Sequence, residues 1–174
     1  LSIGEGGVAQ NNVFIDNDPT AKSSDFSLCI TSFRCSVAGN YFSQGDAFVG
    51  LGWYQYIQAD AYSAVSNNFL ALPSAYDAGG ITIASYSSWV GNNIVTLGTG
   101  DAGYIAISSG GHCSISGNNI FGDGDGTNSS SIGIQCGGFD SIVGNKVRSV
   151  GGVGIAVSTE DVCVGNTVIS SATN

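Results

Sequence analysis

Bulky apolar residues alternate with small or polar ones in four short runs, ITIAS at 81–85, YIAIS at 104–108, SIGIQ at 131–135 and VGIAV at 153–157. A period of two is the mark of a half-buried strand, and no helical period competes with it. The alternation predicts Ile81 and Ile83, Ile105 and Ile107, Ile132 and Ile134, and Val153, Ile155 and Val157 on an inward face. Thr82, Ala84, Ala106, Gly133 and Ala156 then face outward.

Between these runs a second pattern returns, apolar–Gly–Asn–x–apolar: CSVAGNYF at 35–42, WVGNNI at 89–94, CSISGNNI at 113–120, SIVGNKV at 141–147 and VCVGNTV at 162–168. Aligned on its Asn, the chain presents Asn11, Asn40, Asn67, Asn92, Asn118, Asn145 and Asn166, spaced 21–29 residues apart. Two positions later stand Val13, Phe42, Phe69, Ile94, Ile120, Val147 and Val168, and two or three positions earlier Val37, Val65, Val90, Ile115, Val143 and Val164. In this register Trp89 aligns with Val37, Ile115 and Ile142 and reads as packing. Repeats of this period mark a solenoid. Each unit reads as a strand, a short turn, a second strand, a Gly-Asn corner, a third short strand and a variable loop. Stacked coils pair each strand in parallel with its copy about 4.8 Å away and bury one continuous core. The predicted fold is therefore an all-β parallel β-helix of about seven coils. At the corner, Asn tolerates a left-handed backbone better than other non-glycine residues, and stacked amides can bond from coil to coil as a ladder.

The G-N-x-[IV] corner, preceded by G-I-x-I, resembles the right-handed parallel β-helix of the pectin-lyase-like superfamily, which includes pectate lyases, polygalacturonases, alginate epimerases and bacteriophage tailspikes. The resemblance spans nearly the whole chain. It implies a right-handed solenoid and a polysaccharide partner, and in character the chain is most similar to the β-helix segments of tailspikes and tail fibres. Of the polygalacturonase motifs, only Gly111-His112-Cys113 echoes one. The scaffold hosts many chemistries, so the resemblance speaks to fold before activity.

Length and composition sharpen this reading. With 174 residues, 43% hydrophobic, the chain suffices for one domain with a continuous core, residues 1–174. Only 10% of residues are charged while Gly numbers 27, which suits short strands and tight turns rather than helices. The start LSIGEGG lacks Met and a signal-peptide pattern, so the domain is expected to be a segment of a longer chain. A net charge of −9 repels phosphate backbones, which argues against nucleic acid. No apolar run is long enough for a membrane span. The five cysteines show no CxxC or Cys/His spacing and read mostly as small buried apolar residues.

Candidate chemistry falls in the variable loops. Asp46, Asp77, Asp101 and the pair Asp123 and Asp125 place a carboxylate in each of four consecutive loops. In similar register they would form a column, with neighbours about 5 Å apart and alternate members about 10 Å apart, spacings that bracket retaining and inverting glycoside hydrolysis. Asp beside Gly or Ala also makes ordinary Asx turns. The expected catalytic pair is Asp77 and Asp101, with Asp46 third. Trp53, Gln55 and Tyr76 are the expected sugar-contacting residues, an aromatic platform for the apolar face of a sugar. Asp123 and Asp125, in DGDGTN, resemble half a calcium loop without its later Glu, a weak Ca²⁺ site, and no other cofactor is expected.

Three functions fit. The first is a tailspike or tail-fibre segment, extracellular or on a virion surface, that binds and could cleave a neutral or weakly charged surface polysaccharide. The second is a fragment of a secreted bacterial polysaccharide lyase, hydrolase or epimerase. The third is a structural solenoid shaft. Neither LSIG nor SSATN supplies a polar cap, so self-association is expected, as a homotrimer or end to end.

Overall fold

All strands of the computed structural model pair in parallel, in three sheets of seven. The structure describes residues 1–16, 26–44, 54–72, 78–84, 86–97, 103–122, 130–148 and 150–169. The first sheet contains Ser2–Ile3, Phe26–Thr31, Tyr54–Ala59, Ala78–Ile83, Tyr104–Ser109, Ile132–Gln135 and Val153–Ala156. The second contains Val8–Gln10, Ser36–Ala38, Ala64–Ser66, Trp89–Gly91, Ser114–Ser116, Ser141–Val143 and Val162–Val164. The third contains Val13–Asp16, Tyr41–Gln44, Phe69–Ala71, Ile94–Thr96, Asn119–Phe121, Lys146–Arg148 and Thr167–Ile169. The chain visits the sheets in turn and so winds seven times as a parallel β-solenoid. No helix occurs among the described residues, and none is long and apolar enough to cross a membrane.

Each sheet sends one register column into the core. Val37, Val65, Val90, Ile115 and Ile142 come from the second sheet, Phe42, Leu70, Val95, Ile120 and Val147 from the third, and Ile57, Ile81, Ile107 and Ile134 from the first, all buried. Burial of one such side chain contributes about 1.5–3 kcal/mol, so the columns supply the main driving force for stacking.

Two details of the expected register shift. In the first sheet the alternation breaks once, because Ala106 and Ile107 are both buried while Ile105 and Ile132 are half-exposed on the outer side. At that bend the interior is narrow: a Cβ added to Gly80 would stand 2.5 Å from the Ala106 carbonyl oxygen, and one added to Gly133 2.6 Å from Val147 Cγ1. Ala106 and Gly133 therefore face inward, not outward, because only small residues fit there. The second shift concerns the corner. The amide ladder runs through Asn12, Asn40, Asn68, Asn93, Asn118, Asn145 and Asn166, not through Asn11, Asn67 and Asn92. The left-handed residue is the one before, at Asn11, Gly39, Asn67, Asn92, Gly117, Gly144 and Gly165, with φ from 55° to 66°. Position and ladder are thus two separate jobs held by adjacent residues. In the Asn-Asn coils, Val13, Phe69 and Ile94 consequently lie on the outer face, and Phe14, Leu70 and Val95 take the inner positions. Val143 and Val164 are outward because the inward position lies three residues before the ladder Asn, where Ile142 and Cys163 stand.

The ladder is a repeated set of bonds. Asn93 Oδ1 accepts from the Asn68 backbone N–H at 3.0 Å and from Asn68 Nδ2 at 2.9 Å. Asn93 Nδ2 donates back to the Val65 carbonyl at 3.0 Å and onward to Asn118 Oδ1 at 3.0 Å. Asn40, Asn68, Asn93, Asn118 and Asn145 are all buried, and an unpaired N–H there costs about 1–3 kcal/mol. Asn93→Ala is expected to lower unfolding free energy by about 3 kcal/mol or more in urea titration. Asn92→Gly, one residue away, should stay within about 0.5 kcal/mol of wild type, since glycine already holds that position in other coils.

Cys29, fully buried in this core, has its thiol pushed up by burial from 9.0 to about 11. Between these values the unfolded chain releases a proton that the folded chain keeps, so the thiol's contribution is intact below pH 9.0 and is lost as pH rises toward about 11. The urea midpoint is expected to fall above pH 9, and less steeply in Cys29→Ala.

Candidate functional site

Between the first and second sheets lies another corner, with the same two jobs in adjacent columns. The left-handed positions are Gly6, Arg34, Tyr62, Ser87, His112, Phe139 and Glu160, with φ from 54° to 72°, and Tyr86 adds a further left-handed residue at 49°. The next column, Gly7, Cys35, Ser63, Ser88, Cys113, Asp140 and Asp161, precedes each ladder Asn by five residues in every coil. It too carries bonds between coils. Cys35 N–H donates to Ser63 Oγ at 3.2 Å, Ser63 N–H to Ser88 Oγ at 3.1 Å, Cys113 N–H to Asp140 Oδ1 at 2.7 Å and Asp140 N–H to Asp161 Oδ1 at 2.7 Å.

The contrast between the two corners is informative. Both demand a left-handed backbone, which costs a residue with a Cβ roughly 1–2 kcal/mol. The second corner fills it with Asn and Gly alone, which suffer least. The first fills it from coil two onward with Arg34, Tyr62, Tyr86, Ser87, His112, Phe139 and Glu160, all exposed. Bulky residues at this conformation are genuine outliers, held there by surrounding structure that offsets the backbone cost. Part of that offset is visible. Tyr86 stacks on His112 with ring centroids 5.0 Å apart, and His112 on Phe139 at 4.7 Å and 1°. Such ring pairs contribute about 0.5–1.5 kcal/mol each. His112, of the Gly111-His112-Cys113 segment, is the middle ring of this stack.

Trp89 stands three residues beyond Tyr86. Alignment on Gly-Asn placed it beside Val37 and Ile115, but Val90 holds that buried position, and Trp89 pairs in register with Ala64 and Ser114 on the outer face. Its ring lies across Gly91: a Cβ there would fall 2.1 Å from Trp89 Cζ2 and 2.4 Å from Cε2. Trp89 Nε1 donates to Ser116 Oγ on the next coil at 3.0 Å, which fixes the ring's orientation. Around it in register stand Ala64, Ser66, Ser114 and Ser116, all short side chains. The indole is 38% exposed. Close by in the chain, a cavity of about 230 Å³ opens where the first sheet reaches the corner, lined by Thr31, Gln58, Ala59, Asp60 and Ala84. Asp60, half-buried, accepts the Ala61 N–H at 2.7 Å.

Asp46, Asp77, Asp101, Asp123 and Asp125 lie outside the described residues, as do Trp53 and Tyr76. Gln55 is in the strand Tyr54–Ala59, its side chain outside that description. Tyr56 and Tyr104 are core residues, and Tyr56 Oη donates to the Ala71 carbonyl at 2.8 Å. Arg34 is exposed and pairs with Glu5 at 3.8 Å, a solvent-screened contact. Cys29, Cys35, Cys113 and Cys136 are buried, as expected, while Cys163 is exposed. The Cys136 thiol is pushed up to about 12, first by burial and then by the charges of Asp140 and Asp161. A maleimide probe at neutral pH is therefore expected to modify Cys163 well before the other cysteines in the folded chain, read by mass spectrometry.

The aromatic corner and the Trp89 platform were missed from sequence, although a signal existed: in WVGNN the left-handed position belongs to the first Asn, which turns Trp89 outward. No protein-family model matches the chain, and neither a curated protein nor a solved structure matches it.

Proposed function

We propose that this β-solenoid binds a neutral or weakly charged surface polysaccharide along the outer face of its second sheet and the adjoining aromatic corner. The observation that carries the reading is the Trp89 ring, laid over Gly91 on the outside of a sheet and held by Ser116. A sugar ring presents apolar C–H faces that stack on an indole, and its hydroxyls find the short hydroxyls of Ser114 and Ser116 on the following coil. The stacked rings of Tyr86, His112 and Phe139 stand exposed at the adjoining corner. A net charge of −9 favours a neutral glycan over a polyanion. On this reading the chain is a segment of the tailspike or tail-fibre kind within the pectin-lyase-like superfamily, acting at a virion or cell surface.

Subunit association belongs to the same reading. The third sheet's outer face carries Val13, Tyr41 and Ile94, all exposed, with Tyr41 stacked on Phe69 at 5.3 Å. Large exposed apolar columns of this kind favour contact with another copy, a trimer by resemblance to tailspikes.

Affinity electrophoresis against capsule, O-antigen and plant polysaccharides tests the proposal. Trp89→Ala is expected to weaken binding at least about tenfold, in line with a stacking loss of about 1–3 kcal/mol, while leaving the unfolding midpoint near wild type. Binding of equal strength in Trp89→Ala, or none by the wild type, overturns it. Reducing ends followed in the same incubations read out cleavage, and any that occurs should vanish in Asp77→Asn and Asp101→Asn.

A further inference from the structure

The first-corner ladder changes its chemistry in its last two coils. Ser63 and Ser88 serve as neutral acceptors, whereas Asp140 and Asp161 do the same work with carboxylates. Asp140 is 1% exposed. Its Oδ1 accepts from Cys113 N–H at 2.7 Å and Ser109 Oγ at 3.0 Å, and its Oδ2 from Ser109 Oγ at 2.8 Å and Gly137 N–H at 3.2 Å. Asp161 accepts from Asp140 N–H and, at 2.6 Å, from Ser158 N–H. These bonds satisfy geometry, yet a serine would satisfy the ladder without charge. Here instead two carboxyl groups stand one coil apart, Asp140 buried and Asp161 half-buried, and among the described residues neither has a basic partner within ion-pair distance.

A third group meets them there. Cys136, immediately after the strand Ile132–Gln135, is more than nine-tenths buried, and its thiol makes no hydrogen bond among the described residues. Its Sγ and one oxygen from each of Asp140 and Asp161 all lie within 4.8 Å of one another. An unpartnered buried sulfur facing two carboxylates is a donor set that lacks its positive charge.

We propose that Cys136, Asp140 and Asp161 bind a divalent transition-metal cation, Zn²⁺ by the chemistry of the donors. Sulfur beside oxygen excludes Ca²⁺ and Mg²⁺, which take oxygen alone, and suits Zn²⁺, which accepts both. On binding, Cys136 forms an S–Zn bond and its thiol proton passes to solvent, with no change of oxidation state. Asp161, only half-buried, gives the cation its route in. Bridging coils six and seven, the ion would clamp the ladder where its rungs are charged.

Titration of the full-length chain with Co²⁺, followed by Zn²⁺ competition, tests this. The expected result is one metal per chain, with an intense near-ultraviolet thiolate-to-cobalt band that Zn²⁺ removes. Cys136→Ser should abolish the band, and Asp161→Asn, which keeps an oxygen for the Asp140 N–H, should weaken Zn²⁺ binding by about tenfold or more at unchanged far-ultraviolet circular dichroism. Cys163→Ser should leave both intact. Absence of the band in wild type, its persistence in Cys136→Ser, its loss in Cys163→Ser, or undiminished Zn²⁺ affinity in Asp161→Asn overturns the proposal.

Discussion

The backbone N–H at each corner sets the terms for everything else in this solenoid. Where a strand ends and the chain turns, the sheet no longer supplies a partner for that N–H, and the neighbouring coil must offer a side-chain oxygen instead. At one corner the oxygen is an Asn amide in every coil, and at the other it is Ser or Asp where a partner is resolved. The turn itself needs a left-handed residue just before. With both conditions met, the strands fall into register and the apolar columns close on one another. Where both fail, a buried N–H is left unpaired in each coil, which no amount of side-chain packing nearby repairs cheaply.

The overall architecture was legible because its signals are periodic. Strand alternation, the recurrence of Gly-Asn and the apolar columns gave a parallel β-solenoid of seven coils. The errors at the Asn-Asn corners were of one residue and had one cause. In a Gly-Asn pair the assignment of jobs is unambiguous, since Gly takes the turn and Asn the ladder. In Asn11-Asn12, Asn67-Asn68 and Asn92-Asn93 either residue could do either job, and a one-residue slip sends every neighbouring side chain to the opposite face. Trp89 was hidden by that slip, and with it the platform. The first corner was harder still, because its acceptor column mixes Ser, Cys and Asp and its turn residues share no chemical type. The constant five-residue spacing to the ladder Asn is what identifies it.

The two corners also divide labour. The one after the second sheet is built from residues that suit the backbone and has no other visible task. The one before it holds Tyr62, Tyr86, His112 and Phe139 in a conformation they do not favour, beside a tryptophan on an open sheet face. Conformational cost borne by exposed rings in consecutive coils is the kind of conflict expected where sequence serves recognition as well as folding. The surface that results runs along the stacking axis, and its chemistry changes from coil to coil, from Arg34 through Tyr62, Tyr86, His112 and Phe139 to Glu160.

The amide ladder has one more property. Every rung accepts on its Oδ1 from the coil before, so the carbonyls of Asn40, Asn68, Asn93, Asn118 and Asn145 all point toward lower residue numbers. Dipoles aligned head to tail in a dry interior add and polarise one another, as peptide dipoles do in a helix. The solenoid therefore has an electrical direction along its axis, negative toward the first coil and positive toward the seventh, and an approaching molecule meets chemically different ends although the coils are near copies of one another.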